Sequence, residues 1–169
     1  MPNIQQTELV DLFLQFNSAK RKKSNLRPLH LAGKGEMTQE QKESAEPPQQ
    51  MRRKYRITSE EMNEQTIWRI APKEKAENDK KHVYYLHGGT YVDGFTNQHW
   101  RFLAKLVDRF HWSVTAPDYP LAPEHDVHDA FAMLIPLYRE LVEMVDASKL
   151  TLMGDSAGGS ESIRRRWKN

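Results

Sequence analysis

The run Gly154-Asp155-Ser156-Ala157-Gly158 sets a serine between two glycines in the spacing G-x-S-x-G. This spacing suits a turn so sharp that the residues two before and two after the serine must lack bulky side chains. The hydroxyl then projects above the edge of a sheet, and the N–H of Ala157 points to where negative charge develops on an attacked carbonyl. Glycine and serine are common in turns of every kind, so the pattern gains meaning from the short strand before it, Leu150-Thr151-Leu152-Met153. A second group of residues follows another strand: Val83 to Leu86 leads into His87-Gly88-Gly89-Thr90-Tyr91. Two glycines at a strand's C-terminal end let backbone approach a ligand closely, and Gly88 and Gly89 are the further candidate oxyanion donors. His87, inside that loop, is read as a structural histidine bonded to loop backbone rather than as a base. A third group, Asp118-Tyr119-Pro120-Leu121-Ala122-Pro123-Glu124, is a proline-braced loop. Nothing in its spacing favours paired acid–base chemistry over hydrogen bonding within the loop.

These loops need a scaffold that brings strand ends together. Lys54 to Thr58 and Thr66 to Ile70 alternate as half-buried strands do. Val83 to Leu86 is continuously apolar, which suits a strand covered on both faces. Trp100, Leu103, Ala104, Val107 and Phe110 share one face of a helix, and Trp112 to Ala116 reads as another strand. Val127, Phe131, Leu134, Tyr138, Leu141 and Val145 predict a second helix, with Asp126 and Asp129 near its positive N-terminal end and Pro136 expected to kink it. The order of elements in the second half is that of a parallel α/β sheet. Upstream, Leu9, Leu12, Phe13 and Phe16 have amphipathic helical spacing, a basic run follows at 20–23, and 33–50 reads as a polar linker.

Composition narrows the function classes. The chain has 169 residues, 38% apolar and 28% charged, enough for one domain. It has no cysteine, which removes disulfide frameworks, thiolate nucleophiles and Cys-ligated metals, and it fits a reducing, cytoplasmic setting. The longest apolar run, 130–138, is far too short to cross a bilayer, and the N-terminus has no signal-peptide pattern. Net charge is +2, but Arg164, Arg165, Arg166 and Lys168 against Glu161 give the last ten residues +3 and leave −1 for the rest. The body therefore carries no electrostatic footprint for nucleic acid, and a membrane-surface role is not favoured.

Together, His87-Gly88-Gly89, the 118–124 loop and Gly154-Asp155-Ser156-Ala157-Gly158-Gly159 resemble the successive signatures of the hormone-sensitive-lipase-like branch of the α/β hydrolases. The resemblance covers about 51–159. It implies an α/β fold: an incomplete α/β-hydrolase sheet with mainly parallel central strands. It divides the chain into a helical, cap-like segment with linker at 1–50, the N-terminal half of the hydrolase domain at 51–159, and a basic tail outside the family pattern at 160–169. It implies a carboxylic ester hydrolase acting on a small ester or acyl substrate, without metal or cofactor. Ser156 would be the nucleophile. Gly88, Gly89 and Ala157 would supply oxyanion N–H groups, and Asp155 would be the elbow residue before the serine. His87, Asp118, Glu124, Gly154 and Gly158 would be structural members of the motifs. Thr90 and Pro120 depart mildly from the family pattern, where glycine and arginine are common.

Gly-Asp-Ser-Gly-Gly-Pro of chymotrypsin-like proteases is a rival match. Ala157 and Ser160 break it, and that fold is an all-β, usually disulfide-bonded barrel. The family places its acid and histidine after the serine, whereas all seven histidines here, 30, 82, 87, 99, 111, 125 and 128, precede it. The stretch Ser160 to Trp167, with three consecutive arginines, also departs from the small apolar helix expected after the elbow. The sequence reading is therefore of a chain truncated just after the elbow and catalytically incomplete. The alternative reading is a non-catalytic fragment serving as a binding module, with a partner completing its sheet.

Overall fold

A computed structural model describes residues 45–74 and 81–159. The expected N-terminal helix, most of the linker, the centre of the 73–81 turn and the basic tail lie outside the described residues. The elements run α1 (Gln49–Lys54), β1 (Tyr55–Met62), β2 (Gln65–Pro72), β3 (His82–Leu86), α2 (Asn97–Phe110), β4 (Ser113–Pro117), α3 (Val127–Met144) and β5 (Leu150–Gly154). The polar stretch read as linker through Gln50 thus ends in the first residues of a short helix. Its Met51 is buried against β1 and the sheet core, which a six-residue helix needs to persist.

The sheet order is β1-β2-β4-β3-β5. β1–β2 and β2–β4 are antiparallel, whereas β3 pairs in parallel with β4 on one side and β5 on the other. The mainly parallel centre expected from the strand–helix alternation is therefore present. β1 and β2 meet through Asn63 and Glu64, both at positive φ (52° and 63°), the two-residue turn whose twist matches a hairpin.

β3 shows why its sequence is apolar throughout. Val83 and Tyr85 enter one core with Trp100, Leu103 and Leu106 of α2; Tyr84 and Leu86 enter the other with Met133, Leu134 and Leu137 of α3. The two helices thus cover opposite faces, and every β3 side chain from Val83 on is buried. Edge-on packing of Trp68 with Trp100 and stacking of Phe95 on Trp100 fill the α2 side.

α3 runs through Pro136 without interruption. Its buried stripe is Ala130, Met133, Leu134, Leu137 and Leu141, turned from the one expected. Val127 is exposed and Tyr138 half-buried, while Ala130 and Met133 pack into the core with Ile67, Tyr84 and Leu86 of the sheet. Asp126 caps this helix, accepting from the N–H groups of His128 and Asp129, and those bonds hold its carboxyl below the ordinary carboxylate range.

The crossing from β4 to β5 carries the chain over β3, so strand order reverses at β3. The C-terminal ends of β3 and β5 lie side by side at this switch point, where open α/β sheets form a crevice. Among the described residues the outer edge of β5 has no strand partner. No described helix is long and apolar enough to cross a membrane.

Candidate active site

β5 and β3 stay in register to their ends, where Leu86 pairs with Gly154 and the N–H of Asp155 donates to the Leu86 carbonyl. The chain then turns abruptly at Ser156, which has a φ of +49°, and Ala157 to Gly159 begin a helical turn. Serine pays steric strain in this region of backbone space, and such outliers concentrate at functional sites. The expected reason for the flanking glycines is visible in contact. A Cβ on Gly158 would overlap the carbonyls of Leu86 and His87, and one on Gly154 would overlap Gly158. Ser156 itself is exposed, whereas Asp155, Ala157 and Gly158 are buried around it.

The loop after β3 packs directly on this turn. A Cβ on Gly88 would lie 2.9 Å from that of Ser156 and closer still to the Asp155 carbonyl, so only glycine lets the two segments touch. The Gly88 N–H, expected to face an oxyanion, donates instead to Asp155 Oδ1 at 2.8 Å. Asp155 also accepts the Tyr85 hydroxyl at 2.6 Å and lies 3.6 Å from His99 Nε2. The Thr96 N–H donates to His99 Nδ1 at 2.9 Å. Nδ1 is therefore unprotonated, and the proton sits on Nε2, facing the carboxylate. Burial first, and the Asp155 charge next, push the Tyr85 phenol well above its ordinary value, so it stays a donor. A fully buried carboxylate is thus held by two hydrogen-bond donors, from β3 and the loop, and faced by the His99 ring of α2.

His87 is also fully buried. Its ring stacks on Tyr119 (centroids 4.4 Å apart) and contacts Phe95. Its Nδ1 lies 3.2 Å from the Gly88 carbonyl, and its own carbonyl accepts the Tyr119 hydroxyl at 2.6 Å. Its Nε2 faces Asp118 Oδ1 at 3.3 Å, off the line of a hydrogen bond. This ties the loop after β3 to the loop after β4, so Asp118 joins the group around His87 while Glu124 stays exposed at the far end of its loop. Beyond Gly88, the loop passes through Gly89 (φ +156°), Thr90 (+55°) and Tyr91 (+62°). Among the described residues no protein acceptor takes the N–H of Gly89, Thr90 or Ala157. No described histidine is hydrogen-bonded to Ser156, and no described group of His, Asp or Glu has the makings of a metal site.

Sequence reasoning missed Tyr85 and His99, the two side chains that hold Asp155. Tyr85 read as strand core. For His99 a local signal exists: a threonine three residues before it, where the pair closes the N-terminus of α2.

Comparison with known proteins matches residues 83–161 to a family model described as alpha/beta hydrolase fold. The chain is 32% identical over 82 residues to an esterase of Acinetobacter venetianus, a match covering 48% of this chain and 27% of that protein. It is 37% identical over 92 residues to the esterase LipU of Mycobacterium tuberculosis, covering 50% and 29%. A solved esterase from the bacterial hormone-sensitive lipase family superposes with a TM-score of 0.54 at 26% identity, covering 69% of this chain and 41% of that one. The chain thus spans under a third of the curated relatives it matches.

Proposed function

Given that residues 83–161 are α/β-hydrolase sequence of the hormone-sensitive-lipase-like branch, we propose that the site at the ends of β3 and β5 performs acyl transfer from carboxylic esters, with Ser156 as nucleophile. The observation that carries this reading is the left-handed turn at Ser156, packed between glycines and against Gly88. In this proposal Ser156 Oγ attacks the ester carbonyl. The oxyanion is met by the N–H groups of Gly89 and Ala157, joined by that of Thr90, since Gly88's is held by Asp155. Asp155, His87 and Asp118 fix the two loops and take no part in the bond changes.

A serine hydroxyl without an adjacent base is a weak nucleophile at neutral pH, and the described histidines are bonded elsewhere or solvent-facing. We therefore propose that these 169 residues hold nucleophile and oxyanion donors but do not cycle. The test is hydrolysis of p-nitrophenyl acetate in parallel with intact-mass detection of acylated protein. The expected result is at most one slow acylation per chain, at Ser156 and absent from Ser156→Ala. Multiple turnover that Ser156→Ala abolishes would overturn the missing base; no acylation of Ser156 would overturn the acyl-transfer site.

A further inference from the structure

His99, in the first turn of α2, is fully buried, and both of its ring nitrogens face polar groups. Leucine or phenylalanine would fill such a position without burying two polar atoms. Nδ1 accepts the Thr96 N–H at 2.9 Å, so the proton is on Nε2, which faces Asp155 Oδ1 at 3.6 Å. That gap exceeds an ordinary hydrogen bond; the N–H dipole acts across it on the carboxylate charge in a buried, low-dielectric setting. Phe95 stands edge-on to the imidazole at 5.8 Å, and the rings of His87 and Tyr85 lie at 5.9 and 6.4 Å, so packing fixes its direction. The same Oδ1 accepts the Tyr85 hydroxyl and the Gly88 N–H. Tyr85 and Gly88 belong to β3 and to the loop that continues it. His99 brings in a separate element, α2, anchored by the fully buried Trp100, Leu103 and Leu106.

We propose that His99 is a positioning residue for acyl transfer, acting through the Asp155 carboxylate rather than on the ester. The proposal rests on the acyl-transfer reading of Ser156. Asp155 stands where the two halves of that site join. Its side chain holds the loop that leads to the Gly89 and Thr90 N–H groups, and its backbone leads into the turn at Ser156 and Ala157. A tilt of this carboxylate therefore changes the distance between the attacking oxygen and the oxyanion donors, the geometry on which the acylation rate depends. The imidazole of His99 opposes that tilt from the α2 side.

The experiment measures single acylation of the full 169-residue chain by p-nitrophenyl acetate, followed by intact mass and expressed per folded molecule from urea unfolding of each variant. In this step the Ser156 Oγ–acyl carbon bond forms, p-nitrophenolate leaves with the electron pair of the broken ester bond, and the serine proton passes to water. Two substitutions separate the two nitrogens. In His99→Asn the side-chain oxygen can replace Nδ1 as acceptor for the Thr96 N–H, while no group reaches Asp155; in His99→Gln the amide nitrogen can replace Nε2 as the donor facing Asp155. The acylation rate constant is expected to fall roughly tenfold in His99→Asn, a part of what an ångström of misplacement costs, and His99→Gln is expected to recover most of it. A role confined to closing the end of α2 gives the opposite order; that order, or equal rates in the two variants, would overturn the proposal. Tyr85→Phe takes a donor from the same oxygen, leaves the cap of α2 alone, and stands in where a His99 variant does not fold. It is expected to slow labelling as well, and an unchanged rate would overturn the action through Asp155. Absence of Ser156 labelling in the wild type would overturn the acyl-transfer reading itself, and the role of His99 with it.

Discussion

At the scale of single residues, the centre of this molecule is Asp155 rather than Ser156. Its carboxylate is fully buried yet surrounded by the Tyr85 hydroxyl, the Gly88 N–H and the protonated face of His99. Removing the acceptor strands the Tyr85 and Gly88 donors in a dry site, where each lost bond costs the desolvation of its partner, and takes the counter-charge from beside His99. Asp155→Ala is accordingly expected to cost about 3–5 kcal/mol of stability, the range for breaking buried charged networks. Asp155→Asn, which keeps one acceptor oxygen, should cost clearly less. Urea unfolding of both variants checks this; equal losses would mean that the carboxylate serves as filler rather than as a common acceptor. The glycines around Ser156 are legible in one dimension. The partners of Asp155 are not, because they lie 56, 67 and 70 residues away along the chain.

At the scale of elements, alternation and apolar runs located every strand to within a few residues, because inward-facing positions recur every second residue whatever the surroundings. The hairpin between β1 and β2 shows the limit. Asn63 and Glu64, the two residues of its turn, both take positive φ. Asparagine tolerates this conformation; glutamate has no local hydrogen bond to offset it. Glu64→Gly is therefore expected to stabilise the protein by on the order of 0.5–1 kcal/mol, the strain relieved less the added freedom of glycine in the unfolded chain. Thermal melting is the check, and a fall in Tm would show that the turn is fixed by something other than backbone preference. The turned stripe of α3 has the same kind of origin. Helical periodicity defines an apolar arc, and the sheet chooses which part of that arc it buries.

At the scale of the whole molecule, the ends of β3 and β4 are joined by a polar device as well as by the sheet ladder. His82 bridges Ser113 Oγ (2.7 Å) and Thr115 Oγ1 (2.9 Å). Arg69, paired with Glu60 and Glu140, reaches the same Thr115. Burial, and secondarily the Arg69 charge, lower the His82 pKa to about 4. Above about pH 6.5 the imidazole is neutral in both the folded and the unfolded chain, and the full stability is present. As pH falls toward 4 only the unfolded chain takes up the proton, so stability drops, by roughly 3 kcal/mol at the lower limit. Comparing urea unfolding at pH 7 and pH 4.5 for the wild type and His82→Gln isolates this share. The wild type should lose more than the variant as pH falls, and parallel losses would remove His82 as the cause.

Features that depend on local sterics and period are written in the order of residues alone. Glycines flank Ser156 because a side chain on either would collide within a tight turn. β3 is apolar throughout because both its faces are covered, and the alternation of strands with helices implies a parallel centre. Which groups meet depends on the fold in space. It put Gly88 against Ser156, gave the Gly88 N–H to Asp155, set His99 and Tyr85 around that carboxylate, and carried Tyr91 across to Ala157. The physical reason is that a hydrogen bond depends on distance and direction in space. Both are set by how two strands far apart in the chain end side by side, and no spacing along the sequence records that.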